Sequence, residues 1–141
     1  MKRKLFLSLF IVFFTTSFMS LVGCNNQKDY QLQERCGKRS QKFFQNEYGN
    51  GTISNGGGYS NSSYECHYNK KLNKCFILIS TDGVVNYKNE SYHSKSLSDV
   101  NENKKLGYFV RTNTSILCVF SGKIYESEKE WNSLVKPYME E

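Results

Sequence analysis

The chain of 141 residues lacks the closely spaced cysteines that metal and redox sites need. No C-x₂-C pair occurs among its five cysteines, and His67 and His93 are the only histidines. Structural zinc sites are built from such close ligand pairs, and redox-active dithiols use the same spacing. We therefore expect no metal, no cofactor and no reactive dithiol.

A convergent catalytic pattern is also lacking: no nucleophile stands beside a base, and no pair of carboxylates is evident. The run Gly56-Gly57-Gly58 is followed neither by Lys-Ser/Thr nor by a helix, as a phosphate-binding loop requires. His67 lies two residues from Glu65, but a hydrogen-bonded or solvent-facing strand histidine is the simpler interpretation. We expect no enzyme, with a small envelope hydrolase or an enzyme inhibitor as the alternative.

Basic residues do not cluster on one predicted element, although the formal net charge is +6. Three of these charges, Lys2, Arg3 and Lys4, lie at the very start of the chain, just before an apolar run. Other lysines fall in apparent turns between strands, where charge usually keeps a loop soluble: Lys70, Lys71, Lys74, Lys104 and Lys105. This distribution predicts no nucleic-acid partner.

The start of the chain carries its most specific pattern. A positive segment at residues 2–4 precedes residues 5–14, which are apolar apart from Ser8, and Leu21-Val22-Gly23-Cys24 follows. The length of the apolar run suits a signal peptide. The alternatives are an ordinary secretory signal and an uncleaved helix over residues 5–22, which would be a marginal membrane span.

The tetrad Leu21-Val22-Gly23-Cys24 resembles the lipobox of bacterial lipoproteins. This resemblance implies cleavage between Gly23 and Cys24, removal of residues 1–23, and a lipid on Cys24 that makes the membrane a partner. Residues 24–28 would then be the lipidated cysteine and a polar tether. In lipoproteins of enteric bacteria an Asp after the cysteine favours the inner membrane, so Asn25 implies the outer membrane instead. The rest, residues 29–141, is expected to be one domain in the cell envelope.

Four other cysteines follow in a chain that is expected to be exported: Cys36, Cys66, Cys75 and Cys118. An even number in an oxidising compartment predicts two disulfides, although three pairings are open. Their positions favour Cys36 with Cys75, which would join a helix to the sheet, and Cys66 with Cys118, which would tie two strands.

Hydrophobic periodicity predicts an α+β fold with a helix at each end. Helical spacing runs from Asp29, the expected N-cap, to about Glu47, and again behind the capping box of Ser127 and Glu130. Between the helices, β-rich runs predict an antiparallel meander of about four to five strands, with a reversal at Asp82-Gly83.

Residues 49–63 consist mostly of glycine, asparagine and serine, which predicts a mobile loop. Loops of this composition often carry binding residues, so Asn50, Ile53 and Tyr59 are the predicted contact residues. An anchored binding or structural module is the function that we expect. Its further partner would be an envelope protein, a peptide or a glycan.

The stretch from His67 to Ile79, HYNKKLNKCFILI, is similar to a hairpin of small bacterial exported proteins. Those proteins begin with a cysteine-bearing helix like residues 36–44 and end with a helix like residues 131–140. The resemblance implies no particular activity. It favours a bridge between Cys36 and Cys75, which lie in the shared segments.

Overall fold

The computed structural model describes residues 27–55, 57–85 and 90–140 of the chain. The chain divides into two units, Met1–Leu32 and Gln33–Glu141, and the described residues of the first, 27–32, are helical. Every contact described below lies within the second unit. The elements in order are helix α1 (27–48), strands β1 (Thr52–Asn55), β2 (Gly58–Asn69), β3 (Lys74–Val85), β4 (Glu90–Asp99), β5 (Lys104–Thr112), β6 (Ile116–Phe120) and β7 (Lys123–Tyr125), and helix α2 (Glu128–Met139).

The strands form a single antiparallel sheet whose spatial order equals their order in the sequence. The predicted α+β fold, with a helix before and after an antiparallel sheet, is confirmed. The predicted number of strands is wrong, because the described residues form seven strands rather than four or five. The added strands lie largely at the two edges of the sheet, where β1 has 4 residues and β7 has 3.

Most of the segment predicted as a mobile loop is β-structure instead, in β1 and the first half of β2. Ser60 and Ser62 are buried while their neighbours along β2 are exposed, which is the alternation of a strand. The Ser62 N–H donates to the Gly51 carbonyl at 2.6 Å, and the Ser62 hydroxyl lies 2.8 Å from the Thr81 hydroxyl. This strand buries hydrogen-bonded hydroxyls, so a prediction from polarity fails.

The predicted reversal at Asp82-Gly83 is also wrong, because both residues lie within β3. Asp82 pairs with His93 and Gly83 with Tyr92 on the neighbouring strand. A Cβ at Gly83 would lie 2.6 Å from ring atoms of Tyr92. Glycine therefore makes room for the tyrosine ring here and does not turn the chain.

Helix α1 covers β2 and β3 on one face of the sheet. Phe44 is buried against Ile77 and Ile79, and its ring contacts those of Tyr48 and Tyr64. Residues 27 and 28 are already helical, so Asp29 lies inside the described helix and is not its N-cap.

Helix α2 covers the opposite face and has the predicted capping box. The Glu130 N–H donates to the Ser127 hydroxyl at 3.2 Å, and that hydroxyl donates to the Glu130 carboxylate at 2.9 Å. The helix buries Trp131 and Val135 in the larger core of the molecule. Five sheet residues complete this core: Phe76, Leu97, Phe109, Cys118 and Phe120.

The structure contains a disulfide between Cys36 on α1 and Cys75 on β3, with Cα atoms 5.3 Å apart. Cys66 and Cys118 are free thiols, so the expected second disulfide is wrong. Cys66 lies on β2 and Cys118 on β6, four places apart in the sheet. At about 4.8 Å per strand this is about 19 Å, well beyond the Cα separation that a disulfide can span.

Candidate functional site

The predicted lipidation and cleavage site, Gly23 and Cys24 within the tetrad 21–24, lies outside the described residues. Signal peptide, cleavage and lipid therefore stay predictions. In the described part of the chain, no helix combines the length and the apolar character needed to cross a membrane.

Two of the three predicted contact residues, Ile53 and Tyr59, line one shallow pocket at the β1 edge of the sheet, although their side chains belong to opposite faces. The Asn50 side chain accepts the Thr52 N–H at 3.0 Å and so closes the turn before β1. Ile53 pairs with Ser60, whereas Tyr59 pairs with Ser54. Because Tyr59 and Ser60 are adjacent in β2, their side chains and those of their partners point to opposite faces. The half-exposed Ile53 and Tyr59 therefore face different sides of the sheet.

Glu65 and His67 share the face of β2 that looks toward α2, as alternation predicts. The residues opposite them on β3 are Leu78 and Phe76 respectively. These cross-strand neighbours supply neither a nucleophile nor a charge. Among the described residues, no group of three or more histidine, cysteine, aspartate or glutamate side chains could hold a metal ion.

A polar cluster joins the first turn of α2 to the sheet. The Glu128 carboxylate binds Lys95 Nζ at 2.9 Å and Arg111 Nη1 at 2.6 Å. The hydrogen bond from Lys95 is the main cause that lowers the pKa of Glu128. Asp82 and His93 pair beside it at 2.7 Å. Acidic and basic groups balance in this cluster, which fits a role in holding α2.

An uncovered apolar surface lies on the face of the sheet opposite α2. Over β5, β6 and β7 this face carries two cross-strand rows, which together we call the open face: Tyr108, Val119 and Ile124 in one row, and Val110 and Leu117 in the other. Ile124 is 76 % exposed and Leu117 is 42 % exposed. Helix α1 packs on β2 and β3 on this side and leaves the open face in contact with solvent.

The outer edge of β6 is only partly covered by β7. Strand β7 pairs with residues 118–120, whereas Ile116 and Leu117 pair with β5 alone. In the described part of the chain, the backbone of these two residues thus has a strand on one side only. Unpaired backbone at a sheet edge is a template for another strand.

The open face has no charged side chain among its five residues. On its inner side it borders Ser94 and Ser96 of β4, which pair with Val110 and Tyr108. An apolar patch bordered by hydroxyl groups suits an uncharged ligand, because a charged group buried against it would lose water without gaining a partner.

One feature of the sequence indicates this surface, but hydrophobic periodicity does not show which face of the strand is exposed. Strand β6 reads ILCVF and is apolar at every position, which is typical of a strand buried on both faces. Its Cys118 and Phe120 are buried under α2, while Leu117 on the other face is exposed. The candidate site therefore coincides with a strand, β6, that is apolar on both faces but is covered by a helix on one face only.

No protein-family model matches the chain, and no curated protein and no solved structure is significantly similar to it. The resemblances to bacterial lipoproteins and to small exported proteins therefore stay predictions from the residues that carry them.

Proposed function

We propose that the chain is a lipid-anchored binding module of the bacterial cell envelope. Its open face and the outer edge of β6 would bind an extended, uncharged, apolar segment of another envelope protein. One observation supports this proposal most directly. The apolar side chains of the open face lie next to each other, and they lie beside the part of the β6 edge whose backbone has no neighbouring strand. A strand edge with unpaired backbone beside apolar side chains can bind an extended segment by adding a strand to the sheet.

The small size of the open face favours an extended segment over a folded partner. Three strands span about 10 Å across, and three to five residues along a strand span about 10 to 17 Å. Stable interfaces between folded proteins bury about 800 Å² on each partner, several times this area. An added strand gains main-chain hydrogen bonds at the β6 edge as well as apolar contacts, so it needs less area.

The exposed residue Leu117 provides the test of this binding mode. The probe is a capped, fluorescent ten-residue peptide of alternating valine and threonine, and binding is followed by anisotropy. We expect saturable binding that Leu117→Lys weakens by about tenfold or more, because the lysine would be buried against an uncharged strand. The matched control is Ile53→Lys, at a residue that is 47 % exposed on the same face but at the opposite edge. It should leave the affinity within about twofold, since single exposed residues away from a binding site matter little.

Equal binding by Leu117→Lys and the unmodified protein would overturn the proposal, as would the absence of saturable binding. A stable dimer in sedimentation that Leu117→Lys dissociates would also overturn it, in favour of self-association. Weaker binding of the same peptide with glutamate in place of threonine would support the requirement for an uncharged ligand.

The proposed anchor has its own test at Cys24. Cys24→Ala should block cleavage by the lipoprotein peptidase, because that reaction requires the modified thiol, and the chain should take up no radioactive palmitate. Processing is measured by the shift in mass on gels, and Asn25→Ala serves as the control. Normal cleavage and labelling of Cys24→Ala would contradict the anchor.

A further inference from the structure

Three turns lie together at one end of the sheet. Residues 70–73, 100–103 and 121–122 connect β2 to β3, β4 to β5 and β6 to β7, and in an antiparallel meander alternate turns lie at the same end. We call this the basic end because lysines that are far apart in the sequence meet here: Lys70, Lys71, Lys74, Lys104, Lys105 and Lys123.

The acidic residues near this end are paired with lysines, and Lys74 shares its one positive charge between two carboxylates. Lys74 Nζ lies 2.8 Å from Asp99 and 2.5 Å from Glu102, and these carboxylates raise the pKa of Lys74. Glu140 pairs with Lys136 at 3.4 Å. Four exposed lysines form no ion pair within the described residues: Lys71, Lys104, Lys105 and Lys123.

Other acidic side chains lie away from the basic end. Asp82 lies near the far end of β3, and Glu90 begins β4 there. The first turn of α2 adds Glu128 and Glu130, and this helix then runs back toward the basic end. Among the described residues, lysines therefore outnumber carboxylates at the basic end.

A hydrogen-bonded turn at the basic end carries a half-exposed apolar side chain. Leu72, between β2 and β3, is 48 % exposed. Its N–H donates to the buried Asn69 side chain at 2.9 Å, and the same side chain donates to the Pro137 carbonyl of α2 at 2.9 Å. A leucine fixed among lysines is the combination that binds the interface of an anionic membrane.

The chain also enters this unit at the basic end. The Gln33 side chain accepts the N–H of Tyr68, the residue before the last one of β2, at 2.8 Å. Gln33 follows Cys24 by nine residues, which reach at most about 30 Å when fully extended. The second unit therefore begins beside the lysine-bearing turns of the basic end.

We propose that the basic end is a membrane-docking surface that rests on the anionic phospholipid headgroups of the leaflet holding the anchor. The proposal rests on the lipid at Cys24 proposed above. Each lysine at such a surface changes binding by about fivefold. Docking sets the strands upright on the membrane, and the open face then stands clear of the lipid where a neighbouring protein can reach it.

Lysine labelling of the anchored protein tests this orientation. The lipidated mature chain is reconstituted in vesicles of phosphatidylcholine, with or without phosphatidylglycerol, and acetylated with an impermeant reagent. Lys71, Lys104, Lys105 and Lys123 should react several-fold more slowly with phosphatidylglycerol present, and high salt should remove the difference. Lys129, in the first turn of α2, is the internal control and should react equally in both vesicles.

Charge reversal supplies a matched pair of variants. Lys71→Glu with Lys105→Glu should weaken the sedimentation of the unanchored mature chain (Cys24→Ser) with phosphatidylglycerol vesicles by about tenfold or more. The matched control compares single changes of equal charge: Lys71→Glu alone should weaken sedimentation by about fivefold or more, whereas Lys129→Glu in the first turn of α2 should weaken it by less than about twofold. Leu72→Ser leaves the net charge unchanged and should also weaken sedimentation with phosphatidylglycerol vesicles.

Failure of the anchor and failure of the docking surface give different results. If Cys24 carries no lipid, the natural protein should not stay bound to vesicles of phosphatidylcholine alone. Binding of the Cys24→Ser chain to phosphatidylglycerol vesicles through its lysines would still support docking in that case. Equal labelling of all lysines in both vesicles would overturn docking while leaving the anchor intact. Equal effects of Lys71→Glu and Lys129→Glu would also overturn it, since net charge would then explain the binding.

Discussion

At the scale of single residues, one glycine sets how closely α2 approaches the sheet. Gly107 on β5 lies beneath Trp131, which is fully buried. A Cβ at residue 107 would lie 2.6 Å from Phe120 Cδ2, 2.7 Å from the Val119 carbonyl oxygen and 3.0 Å from Trp131 Cζ3. The carbonyl belongs to the paired strand and cannot move aside, so any side chain here must push the helix or the strand away.

Gly107→Ala should therefore lower the free energy of unfolding by about 1–3 kcal/mol, the usual cost of overpacking a core. The matched control is Gly37→Ala in α1, where a Cβ would meet nothing within 4 Å. That change should raise stability by about 0.5–1 kcal/mol, because alanine is the better helix former. Urea denaturation followed by circular dichroism measures both values, and shifts of the same sign would contradict this account.

At the scale of elements, the start of α2 is held to two strands through one carboxylate. Glu128 is the first residue of the helix and binds Lys95 of β4 and Arg111 of β5. These interactions keep its folded-state pKa below the ordinary value of 4.5. A lowered folded-state pKa means that the stabilisation is complete above the unfolded-state pKa and is lost as pH falls through the folded-state pKa.

Glu128→Gln should cost at most about 1 kcal/mol at pH 7, because the pair is partly exposed to solvent. As pH falls below 4.5 the unmodified protein should lose this advantage, so the melting temperatures of the two proteins should converge. Thermal unfolding between neutral pH and about pH 3 measures the effect. Glu47→Gln on α1 serves as the control, and a difference in melting temperature that persists in acid would contradict the pKa argument.

The elements that could be predicted from sequence are those whose buried side chains are apolar. The stripe around Trp131 and the run before Phe44 have helical spacing, and the residues 75–79 read as a central strand. The start of β2 was not predicted because it buries two serines, Ser60 and Ser62, of which Ser62 is hydrogen-bonded to Thr81. Amino-acid composition shows how hydrophobic a segment is, but it does not show which hydroxyl groups will form hydrogen bonds across strands.

The antiparallel meander was predicted, but the side chains that it brings together or separates were not. The pairing of Cys66 with Cys118 fails only because four steps of the sheet separate β2 from β6. Likewise, Lys71 and Lys105 read as residues of separate solvated turns, and only the meander brings them to one end. The open face arises in the same way, since periodicity shows that β6 is apolar but not which face a helix covers.

At the scale of the whole unit, the two faces of the sheet are held by cores of different size. The α2 side buries three phenylalanines and Trp131, whereas the α1 side buries one phenylalanine, Phe44, together with smaller or partly polar side chains that include Ile77, Ile79, Tyr68, Cys36 and Cys75. The disulfide from Cys36 to Cys75 is on the weaker side. It closes a loop across a sequence separation of 39 residues, for which chain entropy gives a stabilisation of about 4 kcal/mol.

Removing this disulfide should therefore loosen one face before the other. In Cys36→Ser with Cys75→Ala, hydrogen exchange measured by mass spectrometry should show lost protection in residues 33–48, while β4 to β6 and α2 keep most of theirs. Cys66→Ser, which removes a free thiol from the same face, is the control and should leave α1 protected. Equal loss of protection in both helices would mean that the unit unfolds as a whole and that its two cores are not independent. Full protection of α1 without the disulfide would instead mean that the contacts of Phe44 hold the helix by themselves.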